Sequence, residues 1–291
     1  MSDQKVILEK EGNIARIIMN NPAKLNAFVF FGGKESDANL IWDAFDEAGE
    51  DDDIKVIIWK GAGRAFCVGH DLSKVGFVYG FGEGKKGEGR PNQRIRLKYD
   101  RAGTERPMRS IFLNPKITIA QVHGYCLGGL VPFMLCCDLA VAADNAQFAF
   151  SEQRLGFAGS GTIMHHLILT VGLKRAMDLL LTGRMVSGEE AAAMGLVNKA
   201  VPEDKVEEET EKLAQAMALL PRDGIAIGKA TRHLVYDHLG LTAASTPAYI
   251  SHTLFTNLKW EPDEYNFFKV RRDKGTKAGF KGRDERYKGL L

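Results

Sequence analysis

Residues 117–161, ITIAQVHGYCLGGLVPFMLCCDLAVAADNAQFAFSEQRLGFAGSG, constrain the fold more than any other stretch. An apolar run from Ile117 to Val122 has the length and composition of a buried strand. Gly124, Gly128 and Gly129 turn the chain into a short apolar segment ending at Cys137-Asp138. A second apolar run, Leu139 to Ala143, leads to Glu152, the one acidic residue of its apolar or neutral neighbourhood. A strand feeding a Gly-rich turn into a helix aims backbone N–H groups at one point in space. A carboxylate brought to that point can move protons.

The rest of the chain is compatible with an α/β fold built around this unit. Lys5 to Asn20 reads as a hairpin about Glu11-Gly12-Asn13, and Asn20-Asn21-Pro22 ends it. Leu40, Ile41, Ala44, Phe45 and Ala48 recur with helical period over Asp37 to Ala48. The acidic run Glu50 to Asp53 then leads to Val56–Trp59, a run suited to a buried, parallel strand. Residues 76–116 differ in texture. Gly76, Gly80, Gly82, Gly84, Gly87 and Gly89 alternate with Lys85, Lys86 and Arg90, as in a functional lid or a flexible insertion, and Gln93 to Tyr99 has the pattern of a short helix. Helices are expected over Thr162–Val171 and Lys174–Leu181. A capping box at Ser187-Gly188-Glu189-Glu190 opens a further one, which Gly195 ends. A strand is expected at Leu196–Val201. Pro202 and Pro221 begin two long helices that reach Leu219 and Leu239, and only helices follow Lys205. Residues 1–204 therefore read as an α/β core and 205–291 as a helical region.

Composition narrows the function classes. A chain of 291 residues with 45% hydrophobic and 26% charged residues is ordinary for a globular protein. A net charge of +2 gives no electrostatic case for nucleic acid or a membrane surface. The basic stretch Lys269 to Lys288 reads as a solvated surface before it reads as a phosphate contact. The N-terminus lacks the apolar core of a signal peptide, and no apolar stretch has bilayer-spanning length, so the expected location is cytoplasmic. The four cysteines, Cys67, Cys126, Cys136 and Cys137, sit in apolar runs without C-x-x-C spacing, as buried free thiols do. Neither they nor the seven histidines have ligand spacing, and no metal is expected. His165 and His166, adjacent on a helix, point about 100° apart. There is no phosphate-binding G-x-x-x-x-G-K-[ST] loop and no G-x-S-x-G elbow.

Two Gly-containing turns follow apolar strand-like runs: Cys67-Val68-Gly69-His70-Asp71 and Leu127-Gly128-Gly129. Two N–H donors aimed at one oxygen would make an oxyanion hole. Sequence alone leaves open whether these turns meet or are plain turns, and whether Glu152 is a proton carrier, a cap or an ion-pair partner.

In their order, the motifs resemble the crotonase superfamily, the enoyl-CoA hydratase/isomerase family. Asn21-Pro22-Ala23-Lys24-Leu25-Asn26-Ala27 is similar to the family's N-x-P-x-x-x-N-A segment. Arg64 to Leu72, RAFCVGHDL, is similar to K-A-F-C-A-G-A-D-L, and Val122 to Gly129, VHGYCLGG, to V-N-G-Y-A-L-G-G. Ala146-Gln147-Phe148, Glu152 and Leu155-Gly156 follow A-x-F-G-x-P-E-x-x-L-G. Leu181-Thr182-Gly183 and AAMGLVNK (Ala192–Lys199) follow L-T-G and A-x-x-x-G-L-V-N.

The resemblance implies a spiral of repeated ββα units with a C-terminal α-helical oligomerisation region, assembled as a homotrimer or a dimer of trimers. It implies an acyl-CoA thioester substrate, whose coenzyme A is part of the substrate rather than a cofactor. The thioester oxygen would take hydrogen bonds from the amides of His70 and Gly129 as an enolate develops, and Glu152 would carry the proton. Lys24, Ala27, Ala65, Val68, Asp71, Leu72, Tyr125, Gly128 and Pro132 would line the substrate site.

Departures from the family pattern bear on the reaction. Family hydratases carry two glutamates, and the first falls at Pro132 here. One carboxylate suffices to shuttle a proton between carbons, as the family's Δ3,Δ2-enoyl-CoA isomerases are understood to do. A divergent thioester or C–C hydrolase and a non-catalytic acyl-CoA binder are the alternatives. His70 stands where the family has a small residue, and its side chain either joins the chemistry or points away. Phe268, Arg271, Arg272, Phe280 and Arg283 only loosely follow the family's closing pattern.

Overall fold

The computed structural model describes residues 4–29, 36–74, 92–157, 164–254 and 258–291. Two strands open it, β1 (Val6–Glu11) and β2 (Ile14–Met19), paired antiparallel across a two-residue turn. Gly12 of that turn has φ +56°, a conformation that suits glycine. Helix α1 (Asp37–Glu50) is capped by Ser36, whose hydroxyl accepts from the Asn39 amide. Strand β3 (Val56–Gly61) follows. Helix α2 (Gln93–Pro107) continues into a π-turn over Met108–Phe112 and replaces the short helix expected at Gln93–Tyr99. The glycine-rich run of the expected 76–116 segment falls outside the described residues.

The next unit is β4 (Ile117–Val122), β5 (Tyr125–Leu127), the short α3 (Val131–Met134), β6 (Leu139–Ala143) and β7 (Gln147–Ala149). Helices α4 (Met164–Val171) and α5 (Leu173–Thr182), strand β8 (Val186–Ser187), helix α6 (Gly188–Met194) and strand β9 (Lys199–Val201) complete the α/β part. The Ser187 hydroxyl accepts from the Glu190 amide, one half of the expected capping box, while the Glu190 carboxylate pairs with Arg184, and Gly195 ends α6 in the left-handed region as expected. The strand expected from Leu196 is shorter. Leu196 and Val197 are buried in the core, and pairing with β6 begins at Lys199.

One sheet has the order β1-β2-β3-β4-β6-β9, parallel from β2 onward; a second has β5-β7-β8. Alternation along the strands sorts side chains to two faces. Ala15, Ile17, Ile57, Trp59, Ala120 and Val122 face the main core with Trp42 and Phe45 of α1. Ile14, Val56, Ile58, Ile117 and Ile119 face Ala214 and Ile225. Those two residues belong to α7 (Val206–Ala218) and α8 (Arg222–His238), so the first helices after residue 205 cover the sheet. Cover on both faces explains why every residue of β4 is buried. Lys229 of α8 pins this layer: its ammonium donates to Asp138 Oδ2 at 2.5 Å and to the Lys116 carbonyl at 2.8 Å.

The chain ends in α9 (Ser245–Leu254), α10 (Phe267–Lys274) and α11 (Thr276–Glu285). Phe267 and Phe268 are fully buried and pack with Leu155. Among the described residues, no helix is long and apolar enough to cross a membrane. The four cysteines are free thiols, and burial pushes that of Cys67 up to about 12.

Candidate active site

The two Gly-containing turns lie side by side. The Cys67 amide donates to the Tyr125 carbonyl at 2.8 Å, and the Leu127 amide donates to the Cys67 carbonyl at 3.0 Å, a parallel bridge between Cys67 and Cys126. Gly69 then brings the first turn against the second. A Cβ at Gly69 would stand 2.6 Å from the Leu127 carbonyl oxygen and 3.6 Å from the Gly129 nitrogen, and its φ of +84° excludes most side chains.

Asn26 fixes the loop that leads into the first turn. Its side-chain amide donates to the carbonyls of Ala62, Ala65 and Phe66 at 2.8–3.2 Å, while its Oδ1 accepts from the Asn21 amide at 2.9 Å. Asn26 sits at φ +56°, a conformation asparagine tolerates. The N-x-P-x-x-x-N-A motif is therefore a clamp. Beneath it, Trp59 meets Phe66 edge-on at 5.0 Å and Phe45 at 5.6 Å.

The next residues set the direction of the His70 peptide. The Phe28 amide donates to the Gly69 carbonyl at 3.0 Å, and the Asp71 amide donates to the Phe28 carbonyl at 2.9 Å. Successive peptides of an extended strand face opposite ways, so the His70 N–H points away from Phe28. The His70 imidazole lies over Gly129: a Cβ there would stand 2.4 Å from Cε1 and 2.6 Å from Nδ1. Its other neighbour is the Phe28 ring, 4.5 Å away between centroids.

Glu152 also reaches the second turn. A Cβ at Gly128 would stand 3.4 Å from Glu152 Oε1. Glu152 precedes a single 3-10 turn, Gln153–Leu155, and its carbonyl accepts from the amides of Leu155 and Phe157. The C-terminal helices brace the Glu152 turn and the chain just after the first Gly turn. Leu155 packs with Phe267 and Phe268, and the Arg271 guanidinium donates to the Leu72 carbonyl.

Burial sets the charge states. It pushes Glu152 up to about 7, so the carboxyl exchanges a proton near neutrality. It pulls His70 down to about 3, with the nearby charges of His252 and Arg96 adding to it, so the imidazole is neutral. Both side chains keep partial exposure to the cavity but are enclosed by protein at longer range, and charge responds to that enclosure.

A cavity of 1080 Å³ opens over these groups. Lys24, Ala27, Val68, His70, Asp71, Leu72, Tyr125, Gly128, Gly129, Pro132 and Glu152 all line it. Ala65 does not: it is fully buried, and its carbonyl is occupied by Asn26. Lys24 is paired with Asp71 at 3.1 Å. Pro132 is in the first turn of α3 and presents no titratable group to the cavity. Of the closing-pattern residues, Phe280 and Arg283 line the cavity, while Arg271 is buried against Leu72 and Phe268. Arg96, Tyr99, Asp100 and Thr104 of α2, and His252 of α9, also line it. The sequence reading did not single these out. Their one signal was the spacing of Arg96, Asp100 and Thr104 on a single helical face. Among the described residues, no three His, Cys, Asp or Glu side chains are grouped to hold a metal.

The sequence pattern of the enoyl-CoA hydratase/isomerase family matches residues 9–257. The chain belongs to the enoyl-CoA hydratase/isomerase family. It is 32% identical over 209 residues to a protein named putative enoyl-CoA hydratase from Thermus thermophilus, covering 72% of this chain and 76% of the relative. It is 31% identical over 228 residues to hydroxycinnamoyl-CoA hydratase-lyase from Pseudomonas fluorescens, covering 78% of this chain and 76% of the relative. Among solved structures, an enoyl-CoA hydratase/isomerase from Xanthobacter autotrophicus Py2 superposes with a TM-score of 0.78 at 28% identity, covering 98% of this chain and 99% of that one. The crotonase fold of the enoyl-CoA hydratase/isomerase family is thus the fold of this chain, and the chain is an enzyme of that family.

Proposed function

We propose that this enzyme performs enolate chemistry on an acyl-CoA thioester with Glu152 as its single proton carrier. The amides of His70 and Gly129 hold the thioester oxygen. Hydrogen bonds there stabilise the charge that develops when the carbon next to the carbonyl loses a proton. In an isomerisation, the Glu152 carboxylate takes the proton from that carbon and the electron pair spreads into the enolate. The neutral carboxyl then returns the proton to the far end of the conjugated system. The observation that carries this reading is the position of Glu152 Oε1 beside Gly128, next to the Gly129 amide, with a carboxyl pushed up to about 7. The neutral His70 imidazole lies against Gly129 and shapes the pocket rather than supplying a charge.

Pro132 supports the one-carboxylate reaction over hydration, because nothing at that position can orient or deprotonate water. A divergent thioester or C–C hydrolase is the second reading, and in it Glu152 itself would have to activate the water. No cofactor is proposed beyond the coenzyme A of the substrate, and the proposed location is the cytoplasm. We propose a homotrimer or a dimer of trimers. Leu234, Val235 and Leu239 at the end of α8, and Ile250 and Leu254 of α9, are exposed apolar side chains, which supports such assembly. A panel of enoyl-CoA and acyl-CoA esters, read by mass spectrometry beside chromatography, tests the reaction. Isomerisation gives a new retention time at constant mass. A mass gain of water or loss of coenzyme A would point to hydration or hydrolysis instead.

A further inference from the structure

The thiol of Cys67 is fully buried between the Asn26 clamp and the first Gly turn. Its Sγ accepts from the Gly69 amide at 3.2 Å. Its S–H donates to the Asn26 carbonyl at 2.9 Å, with the Gly69 carbonyl the more distant acceptor at 3.9 Å. Among the described residues, neither the Gly69 N–H nor the Asn26 carbonyl has another hydrogen-bond partner. Both residues are buried, and buried backbone groups are paired almost without exception, so this sulfur does more than fill space. Burial pushes the thiol up to about 12, so it keeps the proton that donation to Asn26 requires.

The sulfur stands on a fixed base. The Cys67 amide and carbonyl are both bonded to the second turn, through Tyr125 and Leu127. From there the thiol reaches the one hinge of the first turn. Gly69, at φ +84°, joins two peptide planes and has no side chain to hold them. The plane before it carries the Gly69 N–H, which Cys67 Sγ holds. The plane after it carries the Gly69 carbonyl, held by the Phe28 amide, and the His70 N–H. A plane held at a single point can swing about that bond. Holding the planes on both sides of Gly69 fixes its φ and ψ, and with them the direction of the His70 N–H.

We propose that Cys67 is a positioning residue of the reaction: its thiol, bonded between the Gly69 amide and the Asn26 carbonyl, holds the His70 N–H in line with the thioester oxygen. This rests on the reading of the His70 amide as an oxyanion donor. Such donors act through preorganisation, and a small misplacement costs rate before it costs binding. A thiol that only filled the core would be replaced by Ala or Val at a cost in Tm alone.

Hexanoyl-CoA, isotope-labelled at the thioester carbonyl, tests this by infrared difference spectroscopy, because hydrogen bonds to the oxygen weaken the carbonyl bond. In the wild-type complex the stretch should lie below that of the free ester. In Cys67→Ala and Cys67→Val it should return toward the free value. Exchange of the proton next to the carbonyl in heavy water should then fall about ten- to a hundredfold, while the Kd of the ester stays within about threefold. Cys67→Ser keeps a donor and an acceptor and should retain most of the stretch shift and of the exchange rate. A folded Ala or Val variant with the wild-type stretch and exchange overturns the inference and leaves the oxyanion reading intact. A Ser variant as impaired as Ala overturns it too, since the bonds would then not be what matters. Failure of both Ala and Val to fold makes the thiol a folding element only, and also overturns it. An unshifted stretch in the wild-type complex overturns the oxyanion reading and the inference with it.

Discussion

The imidazole of His70 occupies the space that a side chain on Gly129 would need, with Cε1 2.4 Å from where that Cβ would stand. The two residues proposed to donate to the thioester oxygen therefore also pack on each other. Gly129→Ala must displace either the His70 ring or the Gly129 peptide that carries the donor. We predict a fall in kcat of about 10²–10³, the usual effect of losing one oxyanion donor. Substrate affinity should change far less, a split that steady-state kinetics beside direct titration resolves.

The titration of Glu152 gives a pH signature. As a base it acts when ionised, so kcat/KM should rise with pH along a limb centred near 7. The stability effect has the opposite sign. Native Glu152 holds its proton up to about 7, whereas the unfolded chain releases it near 4.5. The stability this proton confers is fully present below 4.5 and is lost as pH rises through 7. Glu152→Gln, neutral at every pH, should raise Tm over wild type at pH 8 and show little gain at pH 4. A melting series across that range checks both limbs.

Much of this site is legible in the sequence because its motifs answer local backbone demands. Gly69 is glycine because its φ is +84° and the Leu127 carbonyl blocks a Cβ. Asn26 is asparagine because three carbonyls converge on its amide. Such requirements recur in order along the chain and reveal the family. The part of the cavity lined by Arg96, Asp100 and His252 was not legible, since a helix rich in Arg, Lys, Asp and Glu ordinarily reads as solvated, and His252 is far away in sequence. The late start of the strand expected from Leu196 has a similar cause. Apolar composition signals burial but does not distinguish a strand from a packed turn.

Gly156 ties the Glu152 turn to the C-terminal segment. It has φ +82°, and a Cβ there would stand 2.8 Å from Trp260 Nε1 and 3.0 Å from the Tyr265 carbonyl. Gly156→Ala combines backbone strain with a steric clash. The expected outcome is a loss of about 1–3 kcal/mol in a denaturant titration, with kcat reduced because Glu152 loses its position beside Gly128.

The Lys229–Asp138 pair offers a test remote from the chemistry. Lys229→Met leaves a carboxylate that still accepts from the Thr118 amide and hydroxyl but has lost its counter-ion. We predict destabilisation of about 3 kcal/mol in a denaturant melt. Adding Asp138→Asn should restore part of that loss, a coupling a double-mutant cycle reads directly.

Installing the second carboxylate tests the significance of Pro132. In Pro132→Glu, a fraction of the product from a 2-enoyl-CoA should gain the mass of water where wild type yields little. An unchanged product ratio in a folded variant would show that position 132 does not decide the reaction.

The central claim is that Glu152 alone moves the proton, and exchange at carbon reports it most directly. Incubated with a saturated acyl-CoA in heavy water, the wild-type enzyme should incorporate deuterium next to the thioester carbonyl, read by mass spectrometry. Glu152→Gln should bind the same ester with nearly unchanged affinity and lose exchange by several orders of magnitude. Exchange that persists in Glu152→Gln at the wild-type rate would contradict the account.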